Sequence, residues 1–322
     1  MALFLSEADV RQLLTMDLAL VAVEAAHRAH ALGRAIDIPR QRTRVPSASL
    51  HILQGALLDE GVIGYKAYTA SREGARFLVH LFDAANGRLL AIIEADFLGM
   101  MRTGAAGGVA AKHLSRPESA VVGLIGAGWQ AHGQLEALCK VRPVKQVKLF
   151  SRDPEKCRRA SAEFSRRFGV EVVPAESAQA AVSESDILVT ITTSSAPVVQ
   201  GEWLAPGMHV NAAGSNALIR RELDEKAVGR AGLICVDSRP TALLEAGDLL
   251  PALEKGRLHE GQLVELGEIA AGIRPSRVDS QAITLFESQG LAIQDLAVAK
   301  RLFELAQARG LGALFPAEPD SR

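Results

Sequence analysis

Val121-Val-Gly-Leu-Ile-Gly-Ala-Gly-Trp-Gln-Ala131 is the stretch from which the rest of the chain is read. A short apolar run enters a turn of pattern G-x-G-x-x-A. In such a turn Gly126 makes the tight reversal, Gly128 lets the backbone approach a pyrophosphate, and Ala131 permits close helix–strand packing. A helix that begins near Trp129 and Gln130 aims its free amides and positive dipole end at the phosphates. The glycine pattern alone is weak, and its bland reading is a simple turn. Here the strand before it, the helix after it and a second strand at 147–150 all agree, which makes it a dinucleotide-binding turn.

Working outward, short apolar runs alternate with helical stretches. Further strands are expected at 187–192, 209–213 and 233–237, with Thr192 closing the first of these in the cofactor-binding set. This alternation is that of an α/β, doubly wound parallel sheet of the Rossmann type, assigned here to residues 116–295. Towards the amino terminus the grammar differs. Ser6 and Thr15 precede helical patterns with Asp9 and Asp17 in their first turns, and the second helix runs to about Leu32. From Pro39 to Ile93 the period shortens to two. Arg42-Thr-Arg-Val, Ser49-Leu-His-Ile-Leu, Gly64-Tyr-Lys-Ala-Tyr and Phe77-Leu-Val-His-Leu-Phe read as strands of an antiparallel or mixed sheet. Ala85-Asn-Gly-Arg reads as a hairpin turn with positive φ at both central positions. A last helix is expected over 292–308. Both chain ends then lie outside the nucleotide domain, and residues 1–115 with 296–322 are expected to form an α+β domain for substrate binding and dimerisation. From Pro316 the chain reads as a loose tail.

Composition limits the function classes. The 322 residues are 48% hydrophobic and carry a formal net charge of -1, which gives no global basic field for nucleic acid. Cys139, Cys157 and Cys235 are sparse and show no metal-ligand spacing, as a reducing compartment permits. The amino terminus lacks the basic region of a signal peptide. No apolar run approaches the ~20 residues that cross a bilayer. A cytoplasmic protein with no membrane, nucleic-acid or metal partner is expected.

The end of the second strand bears on cofactor choice. NAD sites usually place an acidic residue there for the ribose 2′-hydroxyl. Phe150-Ser-Arg-Asp offers Ser151 and Arg152 instead, a hydroxyl and a guanidinium suited to a 2′-phosphate. NADP(H) is therefore favoured, and NAD(H) remains open if Asp153 takes the ribose in a shifted register. Three cations, Arg40, Lys66 and Arg102, are also placed where the fold can gather them. Lys66 can simply point outward, since strand faces alternate. Arg102 lies among small residues, and a buried cation needs a partner, expected to be an anionic substrate or a cofactor phosphate. Structural ion pairs give the same pattern.

These residues resemble a known family. Glu94-Ala-Asp-Phe-Leu-Gly-Met-Met-Arg-Thr-Gly-Ala-Ala, Ala111-Lys-His-Leu-Ser-Arg-Pro and the Gly126 turn look like the ornithine cyclodeaminase/mu-crystallin family. Val210-Asn-Ala-Ala-Gly-Ser-Asn and Glu287-Ser-Gln-Gly-Leu-Ala-Ile-Gln-Asp resemble its later motifs. The resemblance spans nearly the whole chain. It implies a homodimer of two-domain subunits with the active site in the cleft between domains. It makes Arg40, Lys66 and Arg102 the cations that hold a substrate carboxylate, Thr103 a phosphate contact, and Ser288 part of the loop that reaches the nicotinamide.

One departure narrows the reaction. Where a cyclodeaminase carries an aspartate for amine chemistry, this chain has Asn216, which can hydrogen-bond an amine but cannot take its proton. His51 stands at a second acidic position of the family. Asn216 joins Lys66 and Arg102 as the candidate catalytic set, and counts also among the cofactor contacts. His51 and His80 read as strand-face residues, Asp295 as structural or close to the cofactor, and Glu245 and Asp248 as loop and cap residues. The expected activity is NAD(P)H-dependent reduction of cyclic ketimino acids such as pyrroline-2-carboxylate or piperideine-2-carboxylate. The alternatives are an ornithine cyclodeaminase, an amino-acid dehydrogenase, and a dinucleotide-bound binding protein of the crystallin type.

Overall fold

The computed structural model describes residues 2–277 and 279–315; the stretch from Pro316, read above as a loose tail, lies outside them. In chain order, β1 (Ala2–Leu5), α1 (Glu7–Leu13) and α2 (Met16–Ala31) precede five strands. These are β2 (Ala35–Val45), β3 (Ala48–Leu57), β4 (Val62–Ser71), β5 (Gly74–Asp83) and β6 (Leu89–Glu94), and α3 (Asp96–Leu114) follows. Next come β7 (Val121–Ile125), α4 (Trp129–Val141), β8 (Gln146–Phe150), α5 (Pro154–Phe168), β9 (Glu171–Pro174) and α6 (Ala178–Val182). The chain continues through β10 (Ile187–Thr190), β11 (His209–Ala212), α7 (Glu225–Arg230), β12 (Ala231–Val236), α8 (Arg239–Glu245) and α9 (Leu250–Glu254). It ends with β13 (Leu263–Glu265), α10 (Leu266–Ala270), β14 (Ile283–Glu287), α11 (Ala292–Arg309) and β15 (Ala313–Phe315). No helix among the described residues is long and apolar enough to cross a membrane.

Two compact units are divided at Arg102/Thr103 and Gly290/Leu291, rather than after residues 115 and 295. The first division falls inside α3 because that helix serves both units. Its Arg102 joins the first unit, while an added Cβ at Gly104 would lie 2.1 Å from the Gly133 carbonyl oxygen, a backbone contact that fixes this half of α3 to α4 in the second. The whole of α11 belongs to the first unit because it packs across that unit's sheet.

The first unit is α+β. Its sheet runs β15-β1-β6-β5-β4-β3-β2, mostly antiparallel, with β1 parallel to β6. Capping started α1 and α2 as the sequence implies: Ser6 and Asp9 form a capping box, and Thr15 accepts from the Leu18 amide. Helix α11 packs on α2 and on β3 and β4, covering the face that carries Leu53, Leu57, Val62 and Lys66. On the opposite face Ile36, Ile38 and Ile63 are exposed. In the β5–β6 turn only Gly87 takes positive φ, at 73°. The expected two-residue geometry is absent because the turn is longer. Asn86 instead uses its side chain, donating to Asp83 and accepting from the Arg88 amide. β1 and β15 pass unnoticed in the sequence, being four and three residues long.

The second unit holds a parallel sheet in the order β13-β12-β14-β11-β10-β7-β8-β9. Strand order reverses between β7 and β10, the switch point at which doubly wound sheets bind ligands outside the carboxyl ends of their strands. β9, β13 and β14 add to the strands read from sequence. β14 is buried at every residue and pairs with β11 and β12. Its run Ile283-Thr-Leu-Phe-Glu is too short for periodicity to separate it from a loop.

Candidate active site

The dinucleotide turn is built within the second unit. Gly126 has φ +115°, and an added Cβ would lie 2.5 Å from the Ile191 carbonyl oxygen, so both conformation and space require glycine. Around Gly128 there is open space, and it is the N-cap of α4 with no side-chain cap, so the positive end of the helix faces that space. Ala131 is fully buried in the core with Leu124 and Leu135, so its methyl contributes close packing.

A cavity of about 370 Å³ brings Gly126, Gly128, Ser151, Arg152 and Thr192 together, with Asp153 and Lys156 also on its wall. Asp153 caps α5, one carboxylate oxygen accepting from the Lys156 amide at 3.1 Å. Trp129 and Gln130 occupy the first turn of α4 and do not line this cavity; nor do Thr103, Asn216 and Ser288. Thr103 lies on α3, its carbonyl accepting from Gln134. Asn216 is half-buried in the loop after β11. Ser288 directly follows β14 and is buried.

The cations meet within the first unit. Arg40 comes from β2, beside the register shift between Ile38 and Gln41; Lys66 comes from β4 and Arg102 from α3. All three are buried, and Lys66 is 2% exposed. It points inward because the face it shares with Val62 is the one α11 covers. The partner awaited from outside is supplied by the chain. Asp295, fully buried in the first turn of α11, lies 2.8 and 2.7 Å from the Lys66 ammonium through its two oxygens and 3.0 Å from Arg102 Nε. Gln294 beside it accepts from Arg102 at 2.8 Å and donates to His27 Nε2 at 3.0 Å. That contact makes His27 Nε2 an acceptor, so the imidazole is neutral with its proton on Nδ1.

One carboxylate, Asp295, is shared by two cations, Lys66 and Arg102. Burial, and the nearby Arg102, push the Lys66 ammonium down to about 7 despite Asp295, with Arg40 acting in the same direction as Arg102. A second anion at this cluster would relieve that repulsion. His51 takes no part as an acid: it stacks on Tyr68 at 4.4 Å, hydrogen-bonds Ser49, and is held down at about 4 by burial and by Arg40, Arg42 and Arg44. His80 stacks on Tyr65. Asp248 is not a local cap; its carboxylate accepts the backbone amides of Glu222 and Leu223.

A profile of the ornithine cyclodeaminase/mu-crystallin family matches residues 1–310. The chain belongs to that family. It is 39% identical over 236 residues to a Δ1-pyrroline-2-carboxylate reductase of Bacillus cereus, covering 73% of this chain and 72% of that one. Among solved structures it resembles Δ1-pyrroline-2-carboxylate reductase of Thermococcus litoralis in complex with NADH and L-proline (TM-score 0.93, 35% identity, 97% of this chain and 100% of that one). It also resembles an archaeal alanine dehydrogenase dimer with bound NAD (TM-score 0.91, 34% identity, 97% and 98%).

The sequence reading missed Asp295 and Gln294 as partners of the cations, and His27 as the partner of Gln294. A signal was present: Gln294-Asp295 interrupts the otherwise apolar start of α11, Leu291-Ala-Ile and Leu296-Ala-Val-Ala. Asp295→Asn leaves the buried cations without their anion and is expected to lower unfolding free energy by about 3–5 kcal/mol. Urea denaturation of the two proteins measures the difference; unchanged stability would show that the pair does not hold this unit together.

Proposed function

We propose that this NAD(P)-dependent oxidoreductase reduces cyclic ketimino acids of the pyrroline-2-carboxylate or piperideine-2-carboxylate type to proline-like products. The observation that carries this reading is the buried Asp295 carboxylate shared by two cations, Lys66 and Arg102. The positive charge left over when Lys66 and Arg102 share one carboxylate suits the substrate carboxylate, and burial makes the contact strong. Gly126 and Gly128 would hold the dinucleotide diphosphate, with the positive end of α4 at its oxygens. Bound NAD(P)H supplies a hydride to the C=N carbon. Lys66, with its ammonium near neutral pKa, supplies the proton to the imine nitrogen, and is reprotonated from water. Asn216 supports reduction over cyclodeamination, because the latter needs a group at that position to accept an ammonium proton. The likeness to an alanine dehydrogenase keeps oxidative deamination of a small amino acid as a second reading.

Ser151, Arg152 and Lys156 on one cavity wall support NADP(H) as the favoured dinucleotide, since Asp153 spends one oxygen on the cap of α5. The exposed Ile36, Ile38 and Ile63 face supports a homodimer, and light scattering reads that mass directly. The three free cysteines fit a cytoplasmic setting.

Two assays test the reading. NADPH oxidation should follow addition of a cyclic ketimino acid, with kcat/KM falling as pH rises above about 7, because the required Lys66 ammonium is lost there. Lys66→Arg keeps the charge but cannot give up its proton, so activity should drop about 10²–10⁴-fold and the limb near neutrality should vanish. Efficient release of ammonia and proline from ornithine by the unaltered enzyme would overturn the reductase assignment. For the cofactor, NADPH should exceed NADH in kcat/KM, and Arg152→Ala should shrink that margin roughly ten- to a hundredfold. A preference for NADH untouched by Arg152→Ala would show that the 2′-phosphate is not read there.

A further inference from the structure

Loops that leave the carboxyl edge of a parallel sheet carry backbone amides with no strand to pair with, and burying them requires acceptors. Glu222, fully buried, serves two such loops at once. One of its oxygens accepts the Thr192 amide, just beyond β10, at 2.5 Å. The other accepts the Gly214 amide, just beyond β11, at 2.7 Å and the Thr190 hydroxyl at 2.9 Å. The two loops touch so closely that an added Cβ at Gly214 would lie 2.3 Å from the Thr192 carbonyl oxygen. Glu222 is fixed in turn by Asp248, which accepts the amides of Glu222 and Leu223 at 2.7 Å each. Burial, and then the neighbouring Asp248, push the Glu287 carboxyl well above its ordinary value, and Glu287 and Asp248 are hydrogen-bonded.

Asp237, also fully buried, repeats the device after β14. One of its oxygens accepts the Gln289 and Gly290 amides at 2.7 Å each and the Ser288 hydroxyl at 3.2 Å. Three consecutive loop ends on one side of the switch point are thus tied from beneath by carboxylates that the proposed chemistry does not use.

The direction of the dinucleotide follows from the switch point. With the diphosphate at Gly126 and the adenosine ribose at the end of β8, the other half of the cofactor extends over β10, β11 and β14. We propose that Glu222 and Asp237 are positioning residues for the nicotinamide half, Glu222 through the Thr192 and Gly214 loops and Asp237 through the Ser288 loop. This rests on the dinucleotide reading above. Neither carboxylate touches the cofactor; each fixes the backbone that does. Such preorganisation matters because a displacement of about 1 Å at the reacting atoms can cost 10²-fold in rate.

Glu222→Gln tests this, since it keeps the volume but turns one acceptor oxygen into a donor facing another donor. Two probes are titrated by calorimetry: NADPH, and 2′-phospho-ADP-ribose, which lacks the nicotinamide. The variant should bind NADPH roughly tenfold or more weakly and 2′-phospho-ADP-ribose like the parent, because the Gly126 turn and Ser151 are untouched. Asp237→Asn should give the same split, and it reads the proposal even if Glu222→Gln fails to fold. Equal loss of both probes would mean the carboxylates merely hold the domain together, and unchanged NADPH binding in both variants would show that they position nothing. A parent enzyme that binds neither probe would instead overturn the dinucleotide reading on which this rests.

Discussion

Asp295 lies fully buried at the start of α11, with Lys66 reaching it from β4 and Arg102 from α3, while Arg40 adds its field from β2. Removing such ions from water costs several kcal/mol each, and their pairing repays that only with good geometry. The geometry here is two-sided. Both Asp295 oxygens engage Lys66, and Gln294 occupies a further Arg102 donor while leaning on neutral His27. A well-packed apolar set would serve stability as well, so the retained charge is better explained by what it binds. One carboxylate shared by Lys66 and Arg102 leaves a site suited to a second anion.

That surplus joins stability to chemistry. Burial, and after it repulsion from Arg102, bring Lys66 to a near-neutral pKa, and a substrate carboxylate would relieve that repulsion. Binding would therefore recharge Lys66 at the moment its proton is wanted. The second unit uses carboxylates to the opposite end. Glu222 and Asp237 face backbone amides rather than cations, and they shape loops where the first unit's Asp295 shapes charge. In both units the acids are screened from water, so each interaction is stronger than it would be at the surface.

Legibility in the sequence followed locality. The Gly126 turn was readable because its strand, turn and helix are contiguous, and each glycine has its own steric reason. Strands β2 to β5 were readable from alternation, yet alternation does not say which face is covered, so the inward placement of Lys66 was left open. Asp295 is 229 residues from Lys66 along the chain, and nothing local pairs them. β14 escaped because a buried run of five residues has no period to show. The Asn216 departure was visible only against the family's pattern. By contrast, Glu222 was not singled out and Asp237 was read only as the end of the 233–237 strand; their role depends on amides brought together by β10, β11 and β14.

The central claim is that the Arg40–Lys66–Arg102 cluster accepts a substrate carboxylate and regains a proton as it does so. Calorimetric titration of the NADPH-bound enzyme with pyrrole-2-carboxylate, a planar unreactive carboxylate, measures this in buffers of different ionisation enthalpy. At about pH 8, above the Lys66 value of about 7, binding should take up approaching one proton per subunit, and uptake should disappear in Lys66→Met. Binding with no proton uptake, or uptake unchanged in Lys66→Met, would contradict the account.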